Sequence, residues 1–505
     1  METIEISLPQ MLDARERRAH HQLELLHQYQ KPLLCFTMNI AGPIKNSDLI
    51  LRGFLTGVED MKLQLKKNHA KILFEEIFQD PTGNEGYFVI DFDAFALKSL
   101  TCELEDFDEL GRLYDMDVLL PPETNHPFGR KIDRQEMGLS GRHCLICERP
   151  AKECSSRRTH SIEELQTYTT DILSRILRER EAKRISNFAL RSLLYEVSVS
   201  PKPGLVDRFD CGSHKDMDFF TFLNSSSVLW PYFYQCVCLG QTHPKSHPLN
   251  ELLPKLRIHG KQAENEMLLA TDGINTHKGA IFTLGILCAA IGTQFPVDTS
   301  TVDSILESCA QITKNLIKDD YRDLTMQKAT TVGQRLYLEY GITGVRGEIA
   351  NGLPVVKTFG LPTLKKALDD GDGFDLAGAK TLLSILTHMV DTNMIARSDV
   401  KTAKEYQNDI RLQHKINIDL LHQLNQEFIE KNKRMLMKFK EAFDAKDKEA
   451  YEKLENLAKM AKKDELLKFY EEIKSGKIVP DGSAPVAAGA TNANAISASK
   501  EFVEK

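Results

Sequence analysis

The chain has no apolar run long enough to cross a bilayer, which takes roughly 20 residues. Its longest, Gly279 to Ile291, is interrupted by Thr283 and reads as a buried core helix. A basic excess is also missing. With 72 acidic against 65 basic residues, a net charge of −7 and a pI near 6.1, the chain does not suit a nonspecific nucleic-acid binder or a membrane-surface protein. Its opening residues, Met1-Glu-Thr-Ile-Glu5, have neither a basic region nor an apolar core, so no signal peptide is expected. The ten cysteines are scattered rather than set out as a disulfide framework, which fits a reducing compartment. These absences lead to the expectation of a soluble cytoplasmic protein.

At 505 residues, 42% hydrophobic and 27% charged, the composition is ordinarily globular and the length calls for two or three domains. Residues 1 to about 160 alternate β-type runs with polar helices, and residues 1–180 are expected to form an α+β domain. Met11 to Tyr29 reads as an amphipathic helix and Pro32 to Ile40 as a strand closed by the turn Ala41-Gly-Pro43. Tyr87 to Phe95, Leu100 to Phe107 and Met116 to Leu120 read as further strands. From Ser161, which forms a capping-box pattern with Glu164, the apolar period becomes helical. The charged stretch Arg175 to Arg184 reads as an exposed bridging helix. Residues 181–430 predict an all-α domain, with helices over Ile185–Val197, Gln262–Leu269, Gly279–Ile291, Thr299–Lys318, Leu361–Leu368 and Ala377–Met389. Residues 431–475 read as a charged helical extension, and 476–505, rich in Ala, Gly, Ser and Asn, as a disordered tail.

Chemistry concentrates in a few places. In Gly111-Arg-Leu-Tyr-Asp-Met-Asp-Val118, Asp115 and Asp117 fall on one face of a strand, where an alternating pair can converge on Mg²⁺. An exposed Asp-x-Asp is common without a metal, so the neighbours matter: Asn39, Lys45, Arg112, Arg130 and Arg134 supply donors for phosphate oxygens. Cys144, Cys147, Cys154 and His160 have zinc-type ligands at a Cys-x₂-Cys spacing. Cys154 follows Cys147 by only seven residues, closer than in most ribbons or fingers, and the spacing weighs toward reduced thiols beside the basic turn Arg157-Arg158 rather than Zn²⁺.

Pro201 to Asp218 packs Asp207, Asp210, Asp216 and Asp218 with Lys202, Arg208, His214 and Lys215 among glycines and prolines that forbid a regular helix. Basic groups for phosphates beside carboxylates for Mg²⁺ suit a polyphosphate substrate. A second polar turn, Thr271-Asp-Gly-Ile-Asn-Thr-His-Lys-Gly279, leads straight into an apolar helix, where backbone N–H groups favour phosphate near Asn275, His277 and Lys278. Each residue also has a structural reading: His214 and His277 as capping or buried imidazoles, Asp391 as a helix cap, Arg346 and Glu348 as an ion pair in a turn.

Met11-Leu-Asp-Ala-Arg-Glu-Arg-Arg18, Phe36-Thr-Met-Asn-Ile-Ala-Gly-Pro43, Gly111 to Val118 and Arg142-His-Cys-Leu-Ile-Cys147 resemble the apo-citrate lyase phosphoribosyl-dephospho-CoA transferase family over about residues 1–180. The resemblance implies a nucleotidyltransferase-like domain that installs a prosthetic group on a serine of the acyl carrier (gamma) subunit of citrate lyase and releases diphosphate. Glu196 to Arg208, Gly212 to Asp218, Thr271 to Gly279, Gly344-Val-Arg-Gly-Glu348 and Asp391-Thr-Asn-Met-Ile-Ala-Arg397 resemble the triphosphoribosyl-dephospho-CoA synthase family over about residues 185–430. That family joins ATP to 3′-dephospho-CoA and expels adenine, so its product is the substrate of the first. The two resemblances together imply a bifunctional enzyme. Asp115, Asp117, Asp216 and Asp218 would hold Mg²⁺, and His277 and Glu348 would join them in catalysis. Asn39, Lys45, Arg112, Lys202, Asp207, Arg208, His214, Lys215, Asn275, Lys278, Arg346, Asp391, Asn393 and Arg397 would bind nucleotide. After Asn432 the chain departs from the synthase pattern, running on as Lys433-Arg-Met-Leu-Met-Lys-Phe-Lys440 where that family has a Gly-Gly-Ser-Ala-Asp type loop. The alternatives are a second half that binds without catalysing, or a malonate decarboxylase carrier as recipient.

Overall fold

The computed structural model describes residues 4–389 apart from 148, 203, 204, 213 and 297–300, together with Ile395. The expectations for 431–475 and 476–505, the residues Asp391, Asn393 and Arg397, and the departure after Asn432 lie outside the described residues. These fall into two compact units, one within 1–184 plus 291–302 and the other within 185–290 and from 303 onward.

The first unit begins with α1 (Leu8–Tyr29), started by a reciprocal cap in which the Ser7 N–H donates to Gln10 Oε1 at 2.9 Å. Strand β1 (Leu33–Met38) follows, then α2 (Asp48–Lys67), whose Ile50 N–H donates to Ser47 Oγ at 3.2 Å. Strands β2 (Lys71–Asp80) and β3 (Gly83–Asp91) form a hairpin with an irregularity between Ile72 and Phe74. Helix α3 (Ala94–Phe107), β4 (Tyr114–Leu120) and the short β5 (Arg130–Lys131) complete an antiparallel sheet of order β2-β3-β1-β4-β5. Two further helices are α4 (Ala151–Arg157) and α5 (Ile162–Ser198).

Two expectations are corrected here. Leu100 to Phe107 is not a strand but the second half of α3. Asp93 caps that helix, accepting the Ala96 N–H at 2.8 Å, and the buried positions Ala94, Leu97, Thr101, Cys102, Leu104 and Glu105 recur at three and four residues rather than two. Arg175 to Arg184 is helical but not fully exposed: within α5, Ile176, Leu177 and Ala182 are buried, and Arg180 donates to Asp60 at 2.6 Å and Asp108 at 2.8 Å.

The sheet has two different faces. Leu34, Phe36, Phe88, Ile90, Tyr114, Met116 and Val118 point into the main core with Phe54, Val58 and Met61 of α2, Leu97 and Leu104 of α3 and Leu173 and Leu177 of α5. Helix α2 comes so close that a Cβ on Gly57 would lie 2.5 Å from Phe36 Cζ. Leu33, Cys35, Tyr87 and Val89 point to the other face, under Leu25 and Leu26 of α1.

The outer edge of β4 is covered mostly by side chains. Lys98 Nζ donates to the Met116 carbonyl at 3.0 Å, Glu105 accepts the Met116 N–H at 2.8 Å, and Arg142 Nη1 donates to the Tyr114 carbonyl at 2.7 Å. Helix α3 and the segment before Cys144 thus do much of what a longer β5 would do.

The described part of the second unit is helical: α6 (Phe219–Ser227), α7 (Trp230–Thr242), α8 (Leu252–Ala270), α9 (Lys278–Thr293), α10 (Val302–Ile312), α11 (Leu316–Tyr321), α12 (Val332–Tyr340), α13 (Gly344–Ala350), α14 (Leu361–Asp369) and α15 (Phe374–Leu386). The single helix expected over Thr299–Lys318 is two, α10 and α11, with Asn315 immediately before the second. Tyr232 of α7 fixes α9 through a hydrogen bond to the Ile281 carbonyl at 3.1 Å.

Candidate active sites

In the first unit the register sets Asp117 opposite Cys35 and Asp115 opposite Thr37, so both carboxylates leave β4 on the face that carries α1. Lys131 of β5 pairs with Asp117. Burial first, and the neighbouring Asp115 charge second, push the Asp117 carboxyl above its ordinary range, while Lys131 pulls it back. Two carboxylates crowded in this way suit a cation between them.

Asn39 is exposed just past β1 and its N–H donates to the Leu113 carbonyl at 2.8 Å. Lys45 donates to the Ile40 carbonyl at 2.5 Å, and burial followed by the like charge of Arg15 pulls its ammonium below its ordinary value. Arg15 has no carboxylate partner among the described residues. Arg18 of the same helix is taken by Glu85, at 2.7 and 2.9 Å. Arg15 and Lys131 were missed by sequence reasoning. Arg15 lay in the quoted Met11–Arg18 motif, and nothing in the sequence pairs Lys131 with Asp117.

Three expected phosphate donors have other work. Arg130 forks onto Glu136 at 2.7 and 3.0 Å, Arg134 pairs with Glu105 and Asp106, and Arg112 donates to the Cys144 carbonyl at 2.6 Å. Gly111, which opens the motif, is required by close packing: a Cβ there would stand 2.2 Å from the Leu104 carbonyl oxygen. The sulfurs of Cys144, Cys147 and Cys154 and a ring nitrogen of His160 come together, all within 4.8 Å of one another. A cavity of about 790 Å³ in this unit lies on the other face of the sheet, with Tyr114, Asp60, Asp108 and Arg180 in its lining; Asp115 and Asp117 do not line it.

In the second unit the opening loop, the 271–278 turn and α6 converge. His277 is 4% exposed; its Nδ1 lies 2.6 Å from Ser225 Oγ, which accepts from Thr276 Oγ1 at 2.7 Å. With Thr276 donating to Ser225 and Ser225 to Nδ1, the proton of a neutral ring sits on Nε2, which is buried with no partner among the described residues. Burial, reinforced by the nearby Lys202 ammonium, draws the His277 imidazole down to about 4. Lys202 is itself buried and donates to Glu196 at 2.6 Å.

Asp207 does not face a ligand. One oxygen accepts from Phe209 N and Asp210 N at 2.8 and 3.0 Å, the other from Ser200 Oγ and Lys202 N at 2.9 and 3.0 Å, which fills the carboxylate and shapes the loop. Asp218 caps α6, accepting from the Thr221 hydroxyl at 2.7 Å and its N–H at 2.9 Å, and these bonds hold it below the usual carboxylate range. Arg208 pairs with Asp375. Lys215 and Asp216 are exposed and His214 is half-buried. Asn275 accepts the Lys278 N–H at 3.3 Å, and the Lys278 ammonium pairs with Glu264 at 3.0 Å. Arg346 reaches Asp320 at 3.2 Å and lies over Phe282 of α9, and Glu348 accepts the Val355 N–H at 3.3 Å. Ser225 and Asp375 were not foreseen, since a hydroxyl on an ordinary helix and a carboxylate 167 residues from Arg208 carry no local signal, and Thr276 was passed over inside the quoted turn.

One unit thus carries a carboxylate pair on its sheet and the other a buried imidazole held by a hydroxyl of α6. Residues 6–176 match the family of apo-citrate lyase phosphoribosyl-dephospho-CoA transferase, and residues 182–447 match the family of ATP:dephospho-CoA triphosphoribosyl transferase. The chain is 37% identical over 361 residues to Protein CitXG of Haemophilus influenzae, covering 70% of this chain and 75% of that one. Against Protein CitXG of Leuconostoc mesenteroides subsp. cremoris it is 32% identical over 404 residues, covering 78% and 84%. A probable 2-(5''-triphosphoribosyl)-3'-dephosphocoenzyme-A synthase of Streptococcus equi subsp. zooepidemicus is 38% identical over 241 residues, 46% of this chain and 81% of that one. The chain belongs to the CitXG family, in which the two transferases are fused. It is a bifunctional enzyme that makes triphosphoribosyl-dephospho-CoA from ATP and dephospho-CoA and transfers phosphoribosyl-dephospho-CoA to apo-citrate lyase. No helix among the described residues is long and apolar enough to span a membrane.

Proposed function

We propose that the first unit, a nucleotidyltransferase-like domain, carries out transfer at Asp115 and Asp117, and that the helical second unit carries out synthesis around His277. The observation that carries the transfer site is the carboxylate pair on β4 opposite Cys35 and Thr37; just past β1, Lys45 bonds the Ile40 carbonyl and feels the like charge of Arg15. Arg15, Lys45 and Asn39 hold the triphosphate tail there. Asp115 and Asp117 would hold Mg²⁺, which would offset charge on the departing diphosphate. A serine hydroxyl of the acyl carrier (gamma) subunit attacks the phosphorus attached to the ribose. A new O–P bond forms, the bond to diphosphate breaks, and the serine proton is released.

In synthesis the bond from the ribose anomeric carbon to adenine breaks, and one to the 2′-oxygen of 3′-dephospho-CoA forms. The 2′-hydroxyl loses a proton and adenine takes one up. His277 stays neutral at working pH and offers its Nε2–H to the substrate, with its ring fixed by Ser225 and Thr276. Lys202 and Lys278 would hold phosphate by exchanging their partners Glu196 and Glu264 for it, and Asp216 remains an exposed candidate for Mg²⁺. The ten free thiols suit a cytoplasmic enzyme.

The test follows both products. The chain is incubated with ATP, Mg²⁺ and 3′-dephospho-CoA, and free adenine and the triphosphoribosyl adduct are measured by mass spectrometry. Apo-citrate lyase is then added and the mass of its carrier subunit is followed. Asp117→Asn should abolish the carrier modification and spare adenine release, whereas His277→Ala should do the reverse when adduct is supplied. Loss of both activities in a folded Asp117→Asn protein would sink this division of labour.

A further inference from the structure

Between Gly138 and Ser161 the described chain has almost no core of its own. Its only buried residues are Cys144 and Cys154, so the cysteine cluster is the centre around which the segment folds. A bridge between His143 and Pro150 closes the turn, with Cys144 N donating to the Arg149 carbonyl at 2.7 Å and Ala151 N to the Arg142 carbonyl at 2.8 Å. The backbone N–H groups of Ile146 and Cys147 hydrogen-bond to the Cys144 sulfur. Cys154 is carried on the short helix α4, and His160 follows it, after the left-handed Arg158 (φ 47°) turns the chain back.

The distances exclude a disulfide and leave room for a metal. A tetrahedral zinc ion with bonds of about 2.3 Å to sulfur and 2.0–2.1 Å to nitrogen sets its ligands about 3.8 Å (S to S) and about 3.5 Å (S to N) apart. Cys147 Sγ lies 3.4 Å from Cys154 Sγ, and His160 Nε2 lies 3.3 Å from Cys147 Sγ. Both are within a few tenths of an ångström of that geometry and far from the roughly 2.05 Å of a disulfide. Beyond Leu145, which packs on the main core, and the Arg142 contacts, the segment is organised around the converging thiols and imidazole, and a bound metal would supply folding free energy there.

We infer that Cys144, Cys147 and Cys154, as thiolates, and His160 through Nε2 bind one Zn²⁺. Four protein ligands leave no open position, so the ion is structural rather than a reaction centre. Its effect reaches the transfer site through the backbone. Arg112, from the turn before β4, donates to the Cys144 carbonyl, and Arg142 donates to the Tyr114 carbonyl and pairs with Glu105. The metal therefore fixes the start of the strand that carries Asp115 and Asp117. This assignment reverses the weighing of the Cys147–Cys154 spacing, because α4 brings Cys154 back across the intervening residues.

Metal analysis of the full-length chain, purified under reducing conditions without added metal, should find about one zinc per chain. Cobalt replacement should give the near-ultraviolet sulfur-to-cobalt charge-transfer band and the visible bands of a tetrahedral site. Cys147→Ser and Cys154→Ser should lose the zinc, whereas Cys236→Ser, outside the cluster, should keep it. If a cluster variant fails to fold, the wild-type stoichiometry and cobalt spectrum still decide. A folded wild-type chain that neither contains nor takes up zinc, a Cys147–Cys154 disulfide in its place, or a Cys147→Ser variant with a full complement of zinc overturns the inference.

Discussion

Glu105 offers the sharpest test of how the transfer site is held. Its side chain is 3% exposed, accepts the Met116 N–H at 2.8 Å, and pairs with Arg134 at 3.0 Å and with Arg142. Met116 stands between Asp115 and Asp117, so one carboxylate braces the strand position from which both depart. In Glu105→Ala the buried Met116 N–H loses its acceptor, which alone costs about 1–3 kcal/mol. Breaking a buried ion pair from one side costs about 3–5 kcal/mol. These losses share one carboxylate and do not add, so about 3–5 kcal/mol is expected, a large part of the ~5–15 kcal/mol that holds a typical domain together. Glu105→Gln keeps an acceptor for Met116 and loses only the charge, so it should cost less, about 1–3 kcal/mol. Urea unfolding followed by far-ultraviolet circular dichroism measures both variants, and carrier modification on the same samples should fall in the same order. An Ala variant within about 1 kcal/mol of wild type, or a Gln variant worse than Ala, would refute the reasoning.

Gly57→Ala should destabilise by about 1–3 kcal/mol through overpacking against Phe36, read as a lower urea midpoint with an unchanged slope; an unchanged midpoint would show that Phe36 can move aside. Gly111→Ala meets a backbone oxygen rather than a ring and should lower carrier modification as well as stability. The His277 imidazole, drawn down to about 4, makes stability pH-dependent. An unfolded imidazole titrates near 6.5, so on acidification the unfolded chain takes up this proton first. The contribution, about 3 kcal/mol, is complete above about pH 6.5 and is lost as pH falls toward 4. His277→Gln should flatten that window, and an identical pH profile for variant and wild type would count against a buried neutral ring.

How much of this could be read in the sequence depended on whether a residue's role is local. The Asp115/Asp117 alternation needs only the period of a strand, and α1 needs only its amphipathic pattern, so both were legible. Leu100 to Phe107 misled because its apolar positions also fit a short strand; the cap at Asp93 and burial back to Ala94 show the helix. Arg130 and Arg134 were expected to bind phosphate because they are basic and near the aspartates, yet their partners Glu136, Glu105 and Asp106 follow from tertiary placement. Asp207 looked like a ligand because it stands among lysines and an arginine, yet the loop's N–H groups and the Ser200 hydroxyl fill its oxygens. His277 was identifiable from its turn, whereas its partner Ser225 lies 52 residues earlier and carries no local mark.

The two margins of the sheet differ in what keeps them from recruiting another chain. β2, at one margin, is interrupted between Ile72 and Phe74 and carries Lys71, Glu75 and Glu76, features that discourage strand addition by themselves. β4, uncovered by the two-residue β5 along most of its length, carries charges only at Asp115 and Asp117 and no irregularity: its open groups are hidden by Lys98, Glu105 and Arg142, reaching in from elsewhere. One margin is thus guarded by its own sequence and the other only by the folded state. Damage to α3 or to the segment before Cys144 should therefore lead to aggregation through β4 while β2 stays inert.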